Sequence, residues 1–504
     1  MDISVEGLRD KLEPFLFELG SLHYRFGAGL SKELPLHQTY AAFPELGRPE
    51  SFAAVREAAE RSAADEDERR RLRLLLEFLA GQVEDALSAD AAEQVARLEA
   101  QGQVRVGGET ASFHDALAEI PRATSRERRG ALERGLGDFL WEHQDPYARW
   151  RESAAKAADA LGHRSYLSLR EAVTGETLAE LAAQCETVLR QTEDAYRDVL
   201  GYALRKLDPA LRPLPTGAAR RHDIQHAVTA PWLAQHYRRE DLLPATLRWL
   251  ADMGFDPNAQ GRIQIDSEDR PGKSPRAFVA DLRVPDDVRL VVRPGGGLDD
   301  YFSLLHEFGH ALHLAHIAKT APVEDRRLGD AAVTEGYAYA FDHVLLDPAW
   351  HKRYLRLPQA TAADGARLSA FSNLMLLRRY CAKLPYELSL YERGPLRPLA
   401  ESYQDRMSAA LFAGVHPGFY LYDVDPQFHA TRYLKAWALE ARLHEVMQQR
   451  FDQDYWRNPA TGRWLKELFA RGQPERADTW AQSLGGGRLE LAGAARRLLD
   501  ALER

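Results

Sequence analysis

Apolar positions recur at intervals of three and four through most of the first 206 residues. Leu74, Leu75, Phe78, Leu79 and Val83 form one such stripe. That spacing lies along one face of a 3.6-residue helix. The surrounding stretch, 52 to 100, is rich in Ala, Leu, Glu and Arg, all strong helix formers. The interval breaks in QVRVGGETASF, 103 to 113, where residues around Gly107-Gly108 predict a short hairpin. Helical spacing then resumes from about 124 to 206. Pro and Gly cluster in LDPALRPLPTGAARRHD, 207 to 223. Such a cluster predicts a boundary between an N-terminal helical half, 1–206, and a second half, 207–504.

Beyond a helical stretch at 230 to 254 the pattern shortens to a period near two. RIQID, RAFVADL and VRLVVRP are short, partly alternating and separated by turn residues. They predict a small sheet over about 262–293. Everything past Gly297 returns to helical spacing, beginning with a helix over about 299–318. Consecutive elements usually pack together, so this sheet and helix are expected to share one wall of a site.

Composition narrows the class. Of 504 residues, 45% are hydrophobic and 28% charged, as in ordinary soluble globular chains. A net charge of −9 argues against nucleic acid as the main partner. Cys185 and Cys381 stand far apart with no CxxC, which argues against a disulfide framework or a cysteine-zinc site. The first twenty residues lack the basic start and apolar core of a signal peptide. No stretch reaches eighteen uncharged apolar residues, so no membrane span is expected. A cytoplasmic enzyme follows as the default. The run DEDERRR reads as a solvated helix face or turn. RPGGGLDD, 293 to 300, lacks the GK[ST] of a phosphate loop and reads as a mobile loop or hinge.

The chemistry concentrates in LLHEFGHALHLAH, 304 to 316. On a helix His306 and His310 lie about 40° apart around the axis and one turn along. Two imidazoles so placed can grip one tetrahedral ion. Glu307 is turned about 100° from His306, so it is free to take a proton from a metal-activated water. His313 and His316 are rival ligands. A metal site of the HExxHxxGxxH kind needs glycine at 313 to bend the chain, and histidine stands there. His316 therefore reads as a polar-face residue, and His313 as a neighbour that shapes the pocket. The third ligand is expected from another helix. GDAAVTEGYAYAFDHVLL, 329 to 346, carries Glu335 at its centre, with Asp330, Asp342 and Glu324 as weaker candidates. Two histidines and one carboxylate leave a fourth position for water, as a single catalytic Zn2+ requires.

HEFGHALH, 306 to 313, with Glu335 twenty-five residues after His310, resembles the thimet oligopeptidase and oligoendopeptidase F family of gluzincin peptidases. VPDDVRLVVRPGGGLDDYFSLL and the C-terminal NPATGRWLKELFARGQPERADTWAQSLGG are also similar to that family. The likeness covers roughly 260 to 504. It implies a mainly α, bilobed helical metallopeptidase with a small β-sheet beside the HExxH helix and a central substrate cleft. It also implies hydrolysis of short oligopeptides by metal-activated water, with zinc on His306, His310 and Glu335 and with Glu307 as catalytic base. Two departures stand out. TEGYAYA replaces the family's Pro-Ser-Gln stretch, and the HESQ of the related Taq-type zinc carboxypeptidases is absent. Endopeptidase and carboxypeptidase modes both remain open. A non-catalytic helical binding protein with a structural metal is the reading from another class; it would need a fourth protein ligand.

The resemblance also directs attention to VHPGFYLYDVDPQFHATRYLKAW, 415 to 437, as a source of oxyanion donors. Tyr433, before Leu434, matches the family's final tyrosine best, and His429 is second. His416 and Tyr422 are candidates for substrate contact, with Tyr420 between them. Short peptides are the expected partners, without nucleic acid or membrane.

Overall fold

Among the described residues helices predominate, and five short strands form two small sheets. The computed structural model describes residues 3–62 and 64–503. No helix among the described residues is long and apolar enough to cross a membrane. The described residues group into two compact units, each assembled from separated segments. Unit 1 comprises the chain up to Gln82, Leu233–Ser369 and Arg432–Arg497. Unit 2 comprises Val83–Trp232, Ala370–Thr431 and the chain from Leu498.

Unit 2 holds the predicted hairpin. Strand β1 (Gln103–Val106) pairs antiparallel with β2 (Glu109–Ser112). Gly107 and Gly108 turn the chain with φ of 60° and 99°, values that favour a two-residue glycine turn. The rest of the unit is helical, and the Pro- and Gly-rich 207 to 223 stretch lies within it.

Unit 1 holds the second sheet. It comprises β3 (Ile263–Asp266), β4 (Phe278–Arg283) and β5 (Asp287–Val291) in the order β3-β5-β4. Strand β5 runs parallel to β3 and antiparallel to β4. All three strands touch the helix Leu298–His316, as the chain order predicts. The loop between β3 and β4 is fastened by the buried Lys273, whose Nζ donates to Asp266 and to the Glu268 carbonyl. On the other side of β4 lies the first helix, Val5–Gly27. Gly27 sits close against the Phe278 ring there, where a Cβ would clash.

Two local readings change. The charge run at 65 to 71 is not a wholly solvated face. Asp65 caps the helix Glu66–Gln101 through the Glu68 amide, while Arg70 reaches inward to the buried Asp325 at 2.6 Å and to the Pro474 carbonyl. Nor is the 293 to 300 loop a free hinge. The Asp300 carboxylate accepts from the amides of Gly295 and Gly296, and Gly297 N–H donates to the Tyr237 carbonyl. With φ of 86° and 101°, Gly296 and Gly297 take backbone conformations open chiefly to glycine.

Candidate metal centre

The helix Leu298–His316 is anchored by its apolar side. Leu304, Leu305, Phe308, Ala311, Leu312 and Ala315 are fully buried. Burying each large side chain contributes about 1.5–3 kcal/mol, which fixes the helix and leaves His306, Glu307 and His310 partly accessible. A second helix, Ala331–Asp342, packs against it. The contact is close because position 309 is glycine. A Cβ there would come within 2.6 Å of the Ala338 Cα. Asp330 sets the start of the second helix, accepting from the amides of Ala332 and Ala477.

This approach brings three side chains to one point. Ligand atoms of His306, His310 and Glu335 all lie within 4.8 Å of one another. Glu335 Oε2 stands 3.3 Å from His306 Nε2 and 3.7 Å from His310 Nε2. The far side of each ring is held. His306 Nδ1 lies 2.7 Å from the Asp342 carboxylate, and His310 Nδ1 lies 2.9 Å from the Thr334 hydroxyl. Both Nε2 atoms are thereby aimed at Glu335, in the arrangement that metal-binding histidines require. Glu335 Oε2 is buried without a hydrogen-bond partner. A buried carboxylate oxygen left so is costly, and a divalent cation between it and the two rings would satisfy it. The donor set of two imidazoles and one carboxylate fits zinc.

The electrostatics follow from burial and proximity. Burial alone would raise Glu335, but His310 and His306 outweigh it and hold the carboxyl well below its usual range. Burial works against a charged His306, yet Asp342 and Glu335 hold that ring well above the usual imidazole range. For Glu307 burial dominates and pushes the carboxyl up, opposed by the nearby His310 and His306. The Val279 backbone of β4 opposes that rise as well. Beyond the centre, Asp342 is buried among His306, His343 and Glu440, with His343 Nδ1 2.8 Å from Glu440.

The other candidates occupy different places. Glu324 is buried against Arg9 at 2.6 Å, and Asp330 serves as the cap described above. His316 hydrogen-bonds the Leu312 carbonyl and packs edge-on against Phe255. His313 is fully buried between Tyr337 and Phe469, with Nδ1 3.1 Å from Thr334. Tyr433 belongs to unit 1, near the start of the helix Ala430–Phe451. His429, one residue ahead of that helix, belongs to unit 2 with His416, Tyr420 and Tyr422. His416 accepts from the Gly418 amide at the head of a short turn, beside Asp138. Tyr420 donates to Gln144, and Tyr422 packs against Phe113, Tyr147 and Phe419.

The sequence marks Asp342 only as a possible ligand and gives no sign of Thr334. Asp342 stands seven residues after Glu335, two turns along the same helical face. That spacing, in an otherwise apolar helix, was the available signal. Thr334 offers none, since a helical threonine usually bonds its own backbone.

No protein-family model matches the chain, and no curated protein matches it. Comparison with solved structures does find a match. The fold is similar to that of an X-ray structure described as a "putative Oligoendopeptidase F", with a TM-score of 0.68 at 13% sequence identity. The match covers 99% of this chain and 91% of that one. The two proteins share a mainly α fold over nearly their whole length.

Proposed function

We propose that this chain is a zinc-dependent peptidase that hydrolyses peptide bonds in short oligopeptides. The observation that carries the reading is the convergence of His306, His310 and Glu335, with a buried Glu335 oxygen lacking any hydrogen-bond partner. These three residues would hold the ion. When bound, zinc supplies Lewis-acid polarisation of a carbonyl and acidifies water.

The remaining work falls to the protein's own groups. Glu307, next to the first ligand and pushed toward protonation by burial, accepts a proton from the attacking water. It then returns that proton to the leaving amine nitrogen as the C–N bond breaks. Tyr433, or His429 in its place, donates a hydrogen bond to the developing oxyanion. The β3-β5-β4 sheet offers main-chain pairing to an extended peptide along an edge strand. His416 and Tyr422 are assigned to contacts with more distant substrate residues. The description of the structural neighbour as an oligoendopeptidase favours internal cleavage of short chains over removal of C-terminal residues. We place this activity in the cytoplasm.

The test combines zinc content with product analysis on peptides of graded length. The purified chain should carry about one zinc, as a single catalytic site requires, and cleave within peptides. Glu307→Gln should keep the zinc and lose about 100-fold or more of the cleavage rate. Full cleavage by this variant would remove Glu307 from its role. Release of single C-terminal residues would make the enzyme a carboxypeptidase. Stoichiometric zinc with no hydrolysis of any peptide would favour a binding protein.

A further inference from the structure

Thr334 faces two histidines at once. His310 Nδ1 lies 2.9 Å and His313 Nδ1 3.1 Å from its hydroxyl oxygen. A hydroxyl has one proton to give, so Thr334 cannot donate to both rings at once. If His310 binds a metal through Nε2, that nitrogen must carry a lone pair. Its Nδ1 must then carry the proton and donate it to Thr334 Oγ1. The Thr334 hydroxyl, already accepting there, is directed to the other near nitrogen, His313 Nδ1. His313 in turn must be protonated at Nε2.

The surroundings of His313 favour a neutral ring, which this order of donors needs. The ring is fully buried, packed between Tyr337 and Phe469. Burial holds it down to about 3, so it is neutral in the working range and has a lone pair to offer. A leucine would fill the same aromatic cage without the desolvation cost of about 1–3 kcal/mol that a buried polar group carries. Packing alone gives no reason for an imidazole at this position.

We propose that His313 is a positioning residue, which acts through the Thr334 hydroxyl to lock His310 in the Nδ1–H tautomer and so present its Nε2 lone pair toward Glu335. The two ligands are therefore held differently: His306 by a carboxylate, His310 by a neutral relay whose polarity His313 sets. This inference rests on the zinc reading given above.

The experiment measures zinc affinity by chelator competition, alongside melting of the zinc-free protein. Thr334→Val removes the relay and should weaken zinc about 10–100-fold, while Thr334→Ser keeps the hydroxyl and should stay within about threefold of the parent. His313→Leu should melt no lower than the parent without zinc, yet bind zinc about tenfold more weakly. His313→Asn, whose side-chain oxygen stands where Nδ1 stood, should recover most of that loss. Nitrogen-15 spectra of the histidine-labelled parent, which need no variant to fold, should show His310 protonated at Nδ1 and His313 at Nε2. Parent-like affinity in both Thr334→Val and His313→Leu, or His313 protonated at Nδ1, would overturn the relay alone. A parent that binds no zinc would instead overturn the metal centre on which it rests.

Discussion

At the scale of single residues, the support behind each imidazole would set how well it binds the proposed zinc. His306 leans on a buried carboxylate, Asp342. A charge-assisted hydrogen bond is about twice as strong as a neutral one, and it raises the basicity of the ring. Asp342→Asn keeps an acceptor of the same shape and removes the charge. Zinc affinity should fall about tenfold, and Asp342→Ala should lose nearer 100-fold, both read by chelator competition. An unchanged affinity in the asparagine variant would mean that shape, not charge, is what Asp342 contributes. The three clustered groups were legible because they obey local rules: a four-residue histidine spacing, and a glutamate in the middle of a mostly apolar helix. Their supporters were not. Asp342 and Thr334 act across a helix–helix contact, and nothing in one helix's sequence shows which residue the other presents. His416 has a structural task that its sequence neighbours do not reveal: it heads a turn by accepting from the Gly418 amide.

At the scale of elements, the centre depends on how closely two helices approach and on what holds the second in place. Gly309 permits the approach. Gly309→Ala would put a Cβ 2.6 Å from the Ala338 Cα and 3.2 Å from the Tyr337 carbonyl oxygen. Backbone cannot yield as a flexible side chain does, so overpacking should cost about 1–3 kcal/mol. Urea denaturation should show that loss, and zinc should bind more weakly as Glu335 moves off. The second helix is held from behind by His343, which lies 2.8 Å from Glu440 on the helix Ala430–Phe451. Burial disfavours charge on either group. Even so, Glu440 holds His343 above its ordinary value, and His343, with Arg497, holds Glu440 below its own. The histidine's share is complete below its unfolded value and lost as pH rises through its elevated one. The glutamate's share is complete above its unfolded value and lost as pH falls through its depressed one. The pair therefore stabilises most between about pH 4.3 and 6.5, the two ordinary values. Melting curves of the parent and Glu440→Gln should differ most there, by about 3 kcal/mol, and converge toward alkaline pH. A difference that grew with pH would reverse the assignment of charge. Element positions themselves were readable from periodicity. The histidine helix, expected over 299–318, runs Leu298–His316, and the three strands fall within 262–293. The inward reach of Arg70 was not readable, because its partner Asp325 lies 255 residues away.

At the scale of the whole molecule, the chain builds each unit from pieces far apart in sequence. The cluster of His306, His310 and Glu335 lies entirely in unit 1. The sheet beside it depends on the helix Val5–Gly27 packed against β4, and its second helix depends on Glu440. Composition marks the 207 to 223 stretch plainly, but grouping of this kind has no local signature, since it is decided by which distant apolar faces meet. It does predict where loss of metal will be felt. Zinc that binds only the folded state stabilises by about 2.7 kcal/mol when its free concentration is 100 times the dissociation constant. That energy would be delivered through Leu298–His316 and Ala331–Asp342, the two helices carrying His306, His310 and Glu335. Chelation should therefore raise amide hydrogen exchange in those helices first, and next in β4 and Val5–Gly27. Tyr166–Thr174 and Glu193–Leu207, helices of unit 2, should keep their protection, because none of their side chains belongs to the cluster. Zinc added back should restore the first group in proportion to occupancy. Exchange that rose equally in both units, or in neither, would mean that the ion does not hold unit 1 together, and that Glu335 meets its two histidines without it.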